Sequence, residues 1–170
     1  MPAITTLTRF AAREWWVYPG LAAVLVRLLL ACCLQVASGE AGFRDFDTGS
    51  YEPLGRNLAS GQGFSLRNSK GEMVPGFHRT PGYPCLIASV YRVAEAPVLV
   101  ALLQACFSLA SVWGVGQMCL TLWGVRRAAT IGAWLTALMP GGILMSNQLM
   151  SEALFNDLFF GAVGLVALAV

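Results

Sequence analysis

At 170 residues, with 12% charged side chains, a net charge of +2 and a mean hydropathy of +0.64, the chain lacks the charge of an ordinary soluble domain, where about a quarter of residues are ionised. The small net charge, with no cluster of Lys or Arg, excludes a nucleic-acid partner. Hydrophobicity is blocked out: residues 96–125, 128–151 and 158–170 carry no charge, and uncharged apolar runs of about 18 or more residues read as transmembrane helices.

Arg9 and Arg13 precede Trp15, Trp16 and Tyr18, aromatics of the type that settle at a headgroup interface. The first apolar run reaches about Ser38. It resembles a signal peptide, with Val36-Ala37-Ser38 as a small-residue cleavage site, but its length and Arg27 favour an uncleaved anchor. Arg27, costly in lipid, must face protein or water, or snorkel. The interlude 40–95 is too polar to span. Within it Ser50 is expected to cap a short helix over 50–60, with Glu52 and Pro53 in the first turn and Gly61 as the stop. Tyr51, Leu54 and Leu58 form a stripe suited to a membrane surface. Glu52 and Arg56, four apart, can pair on the other side. Gly61 to Phe64 is a turn, 65–73 a hairpin or loop, and Cys85 to Ala94 a short apolar helix.

Three further spans are expected near 96–123, 128–150 and 154–170. Pro140-Gly141-Gly142 breaks or kinks the second of these. The fold class is therefore all-α: a polytopic bundle of transmembrane helices with a large outer-side loop, about 39–95, containing short juxtamembrane helices. Arg9/Arg13 and Arg126/Arg127 are two spans apart, which puts the N-terminus in the cytoplasm and the loop and Ser151-Glu152 outside. The cysteines lack metal or redox spacing and read as small packing residues.

Asp45 and Asp47 form a D-x-D pair beside the expected helix, suited to a general base or a divalent cation, or simply to solvated loop charge. Arg79, ahead of the rigid Pro81-Gly82-Tyr83-Pro84 turn, suits a phosphate. Taken together, Asp47-x-x-x-Tyr51, the 58–64 segment, Arg79-x-Pro81-Gly82-Tyr83-Pro84 and Ser151-Glu152-Ala153-Leu154 closely resemble the N-terminal portion of GT-C-type integral membrane glycosyltransferases. The nearest group is the family 39-like set, which includes protein O-mannosyltransferases, lipid A aminoarabinose transferases and bacterial lipopolysaccharide glycosyltransferases. Thr48 stands where many relatives carry a second acid, and Thr80 where Pro is common.

The resemblance implies inverting transfer of a hexosyl or pentosyl group from a polyprenyl-phosphate donor to a hydroxyl of a lipid, glycan or protein acceptor, at the outer face of a bacterial plasma membrane. Asp47 would be the base and Arg79 the contact to the donor phosphate. Arg56 is a second candidate for that contact, and Tyr51, His78 and Glu152 are further candidate substrate-binding residues. No cofactor is implied; a metal bridging Asp45 and Asp47 is the competing arrangement. Because the chain ends inside an apolar run, it is expected to be the N-terminal part of a longer enzyme. The rival expectation is a non-catalytic membrane protein: a truncated paralogue, an assembly partner or a binder of lipid-linked sugars.

Overall fold

The computed structural model describes residues 14–45 and 47–169; Arg9, Arg13 and the expected cytoplasmic N-terminus lie outside them. Helix α1 (Val17–Ser38) follows a short 3-10 turn, Glu14–Trp16. Gly39 ends it with φ +58°, a conformation a side chain disfavours, and a second 3-10 turn, Gly39–Phe43, then buries Phe43 completely. Helix α4 (Pro97–Trp123) opens on a proline in its first turn and closes on Gly124, whose left-handed backbone lets its N–H donate to the Leu120 carbonyl at 2.8 Å. Helix α7 (Ser151–Ala169) runs parallel to α4: Ser111 and Asp157 meet in mid-helix, and the Thr121 hydroxyl donates to the Ala167 carbonyl near the far end.

Among the described residues these are the three helices long and apolar enough to cross a membrane, and the chain is an integral membrane protein on that ground. Between α4 and α7 the seam is backbone on backbone. A Cβ at Gly114 would lie 1.9 Å from the Phe160 carbonyl oxygen, and one at Gly164 would lie 2.4 Å from the Gly114 Cα. Small residues permit this close approach where lipid supplies no hydrophobic drive between helices. Ala23, Val112, Ala133 and Ala137 form one buried cluster, with Trp15 packed against it.

The expected span over 128–150 is not one helix. Helix α5 (Arg126–Ala137) stops, Met139 is extended, and Pro140 opens the short α6 (Pro140–Met145). The residue before a proline is pushed out of helical geometry, so the break falls where Pro140-Gly141-Gly142 announces it. Neither piece is long enough to cross a bilayer. The last helix begins at Ser151, earlier than the expected 154.

Between α1 and α4 lie helix α2 (Thr48–Ala59), the antiparallel strands β1 (Ser65–Arg67) and β2 (Met73–Pro75), and helix α3 (Gly82–Tyr91). Helix α2 starts two residues before Ser50. The Asp45 N–H donates to the Thr48 hydroxyl oxygen at 2.8 Å, while the Ser50 hydroxyl donates back to the Asp47 carbonyl. Helix α3 starts at Gly82, ahead of the expected Cys85. The stripe assigned to a membrane surface faces protein instead: Tyr51 and Leu54 are buried, and Gly55 lets α2 approach α3 so closely that a Cβ there would lie 2.5 Å from Ile87. Tyr51, Tyr83, Ile87 and Tyr91 share one core with Ala31, Phe43, Val100, Ala101 and Leu149, so the interlude docks on one end of the helices. The Leu149 N–H donates to the Phe43 carbonyl at 3.0 Å and ties the turn after α6 to that end.

Candidate functional site

Asp47 immediately precedes the first turn of α2, and Arg79 lies in the turn between β2 and α3. Gly76 sets the approach of that turn. It is buried against Leu54, where any Cβ would collide at 2.3 Å, and its N–H donates to the Phe64 carbonyl. The chain thereby returns across α2, and the Arg79 Nη2 donates to Asp47 Oδ1 at 2.6 Å. The guanidinium also sits 4.7 Å from the centre of the Tyr51 ring, within cation–π range, and Nη1 reaches the Tyr51 hydroxyl at 3.4 Å. The carboxylate that Arg79 bonds stabilises its charged form and raises its pKa.

Tyr51 carries the network onward. Its hydroxyl shares a 3.0 Å hydrogen bond with Ser151 Oγ, which donates to Glu152 at 3.2 Å. The Tyr51 ring packs edge-on against Tyr83, centroids 5.4 Å apart. The Tyr83 hydroxyl donates to Gln104 Oε1 at 2.6 Å, and the Gln104 amide donates to the Ser146 and Gln148 carbonyls. Burial pushes the Tyr83 phenol upward in pKa, so it is a fixed donor rather than a proton carrier. Thr80, Tyr83, Ser151 and Glu152 rim a cavity of about 420 Å³ whose other wall is Leu154, Phe155 and Leu158 on α7. Polar groups therefore face one side of this cavity and a lipid-exposed helix face the other.

Of the residues singled out in the sequence, Asp47, Tyr51, Arg79 and Glu152 thus join one connected cluster. Arg56 does not: it pairs with Glu52 at 3.1 Å and with Glu95. His78 is exposed beside Arg79 and, among the described residues, joins none of the cluster's hydrogen bonds. Among the described residues no three His, Cys, Asp or Glu side chains gather as a metal cluster would. Asp47 Oδ1 faces the guanidinium.

A second centre was only half legible. Glu52 and Arg56 pair as their spacing predicts, but Glu52 is buried and is gripped by Arg44 through both oxygens, at 3.0 and 3.1 Å, and by the Tyr91 hydroxyl at 3.0 Å. Burial alone would raise the Glu52 pKa; the bonds from Arg44 and Tyr91 and the charges of Arg44 and Arg56 outweigh it and hold the carboxyl below its ordinary value. Arg44 joins from eight positions upstream, a separation with no helical signature. Asp157, an acid inside an apolar span, was the plainest signal passed over.

Neither family models, curated proteins nor solved structures give a match to this chain.

Proposed function

We propose that the chain carries the catalytic loop of a membrane glycosyltransferase that takes a sugar from a polyprenyl-phosphate donor at the outer face. One observation carries the reading: the 2.6 Å contact between Asp47 and Arg79, with Tyr51 linking it to Ser151 and Glu152 at one end of the membrane helices. Motifs separated by 32 and by 100 residues meet there. A carboxylate and a guanidinium beside the end of the membrane helices match a reaction in which an oxygen loses a proton and a phosphate departs.

The pair is a clasp in its resting state. A donor phosphate offers Arg79 the bidentate acceptor geometry that a guanidinium prefers, and so competes with Asp47. Released from Arg79, Asp47 takes the proton of the acceptor hydroxyl. The acceptor oxygen then bonds to the anomeric carbon from the face opposite the phosphate, the bond from that carbon to the phosphate oxygen breaks, and the electron pair leaves with polyprenyl phosphate. Arg79 stabilises the developing phosphate charge.

The test is turnover in lipid nanodiscs, followed as release of polyprenyl phosphate by phosphorus NMR, a product common to any sugar and acceptor. Asp47→Asn should lower it by about 10²–10⁴, the scale of a lost general base. Arg79→Ala should raise the donor concentration needed for half-maximal rate. Normal turnover by the Asp47→Asn protein sinks the base assignment. The same clasp favours a second reading, a binder that holds lipid phosphate without turnover; donor binding with no release under any acceptor would select it.

A further inference from the structure

A second polar centre lies away from the loop, inside the helices. Arg27 of α1 and Asp157 of α7 line a cavity of about 310 Å³, together with Ser111, Thr136, Ser146 and Asn156, a size at the low end for small-molecule sites. Both charged residues are more than nine-tenths buried, at 3% and 8% exposure. They form no direct ion pair, although their charges interact across the space. Asp157 lies about 9 Å along α7 from its Ser151 end, at a depth where an uncompensated charge is costly and marks function by default.

Half of Arg27 has a structural task. Its Nη1 donates to the carbonyls of Ala23 at 3.1 Å and Ala137 at 3.0 Å, the latter at the open C-terminal end of the broken α5. The other edge is unused: Nε is buried with no partner, and Nη2 lies beside Gly142, 3.3 Å from where a Cβ would sit. Nε and Nη2 together form the fork that matches two oxygens of a phosphate or carboxylate. Opposite it, Asp157 accepts from Ser111 through Oδ1 at 2.7 Å, which leaves its second oxygen available to a donor. The cavity opens sideways beside α6, where Met139, just ahead of that helix, and Met145, at its end, are lining residues that are 60% and 39% exposed. No continuous helix closes that side, because α5 stops at Ala137.

We propose that this cavity binds a phosphate ester bearing a primary ammonium, the headgroup chemistry of phosphatidylethanolamine, with the phosphate on the Arg27 fork and the ammonium on Asp157. Two opposite charges held apart around an open space are each compensated by a ligand carrying both charges in reverse order. The lateral opening among methionines suits a ligand whose tails stay in the bilayer. The site is independent of the Asp47–Arg79 clasp.

The test is lipid retention by the delipidated protein, read by native mass spectrometry against phosphatidylethanolamine, phosphatidylglycerol and phosphatidylcholine of one acyl composition. Phosphatidylethanolamine should be retained roughly ten-fold better than the other two, the worth of one charge-assisted hydrogen bond. Phosphatidylglycerol lacks the cation, and the choline cation has no N–H to donate. Asp157→Asn, which keeps the acceptor for Ser111, should erase the preference while undecaprenyl phosphate binding at the loop persists as the control for folding. Arg27→Lys should weaken all three lipids. Soluble O-phosphoethanolamine, titrated by thermal shift, separates the sources: protection equal to that by the lipid assigns a soluble ligand of the same chemistry, and protection by the lipid alone assigns the bilayer. Equal retention of the three lipids, or a preference untouched by Asp157→Asn, overturns the proposal.

Discussion

Glu52 shows how a single carboxylate can hold the loop together. It receives Arg44, Arg56 and Tyr91, and replacing it with Gln removes the charge while leaving those donors in place. Arg44 and Arg56 are both close to half-exposed, which screens the loss to about 1–2 kcal/mol, short of what a fully buried pair costs. Hydrogen exchange of the α2 amides should register this as faster local opening. The same residue sets an acid limit. Its pKa in the folded chain lies below the ordinary 4.5, so its stabilisation is complete above about pH 4.5 and fades as pH falls through the folded value. Protection of α2 should stay level from pH 7 to 5 and drop below that; Glu52→Gln should start lower and fall less steeply. Asp47, Tyr51 and Arg79 were legible because motif spacing isolates them. Arg44 was not, because nothing in a linear spacing of eight marks a bidentate partner.

Among the elements, the α4–α7 seam has the least room for change. Gly114→Ala places a methyl against the Phe160 carbonyl, so the helices must separate, at a cost of about 1–3 kcal/mol for overpacking. Gly141→Ala meets nothing within 4 Å and serves as the neutral control; thermal unfolding in detergent should separate the two. Equal melting temperatures would mean that the seam tolerates separation. The long helices were readable from their uncharged runs, and the hairpin and turn from glycine and polar residues. Two readings failed for one physical reason. The Tyr51-Leu54-Leu58 stripe and the start of α2 depend on what the loop packs against, and an apolar stripe has the same periodicity whether it meets lipid or Ile87. The break at Pro140 was visible, but not its consequence, a span reduced to two short helices and an opening at the side of the bundle.

For the molecule as a whole, α4 carries the chain from the clasp at one end to Gly124 and Arg126 at the other. If the clasp faces outward, a cysteine placed at Lys70 in a cysteine-free background should react with impermeant maleimide on intact cells. One at Arg127 should react only after permeabilisation, and the reverse pattern would invert the topology. The end at which the loop gathers became clear only when Phe43, Tyr83 and Leu149 met in one core, contacts between residues about 40 to 100 positions apart. The decisive measurement is binding of undecaprenyl phosphate to nanodisc-embedded protein, comparing the unaltered chain with Asp47→Asn. Because Asp47 occupies Arg79 in the resting clasp, its neutralisation should tighten phosphate binding a few-fold, the scale of a partly exposed ion pair, even as it slows release of product by the margin expected for a lost base. Binding that is unchanged or weaker in Asp47→Asn would contradict a clasp opened by the donor phosphate.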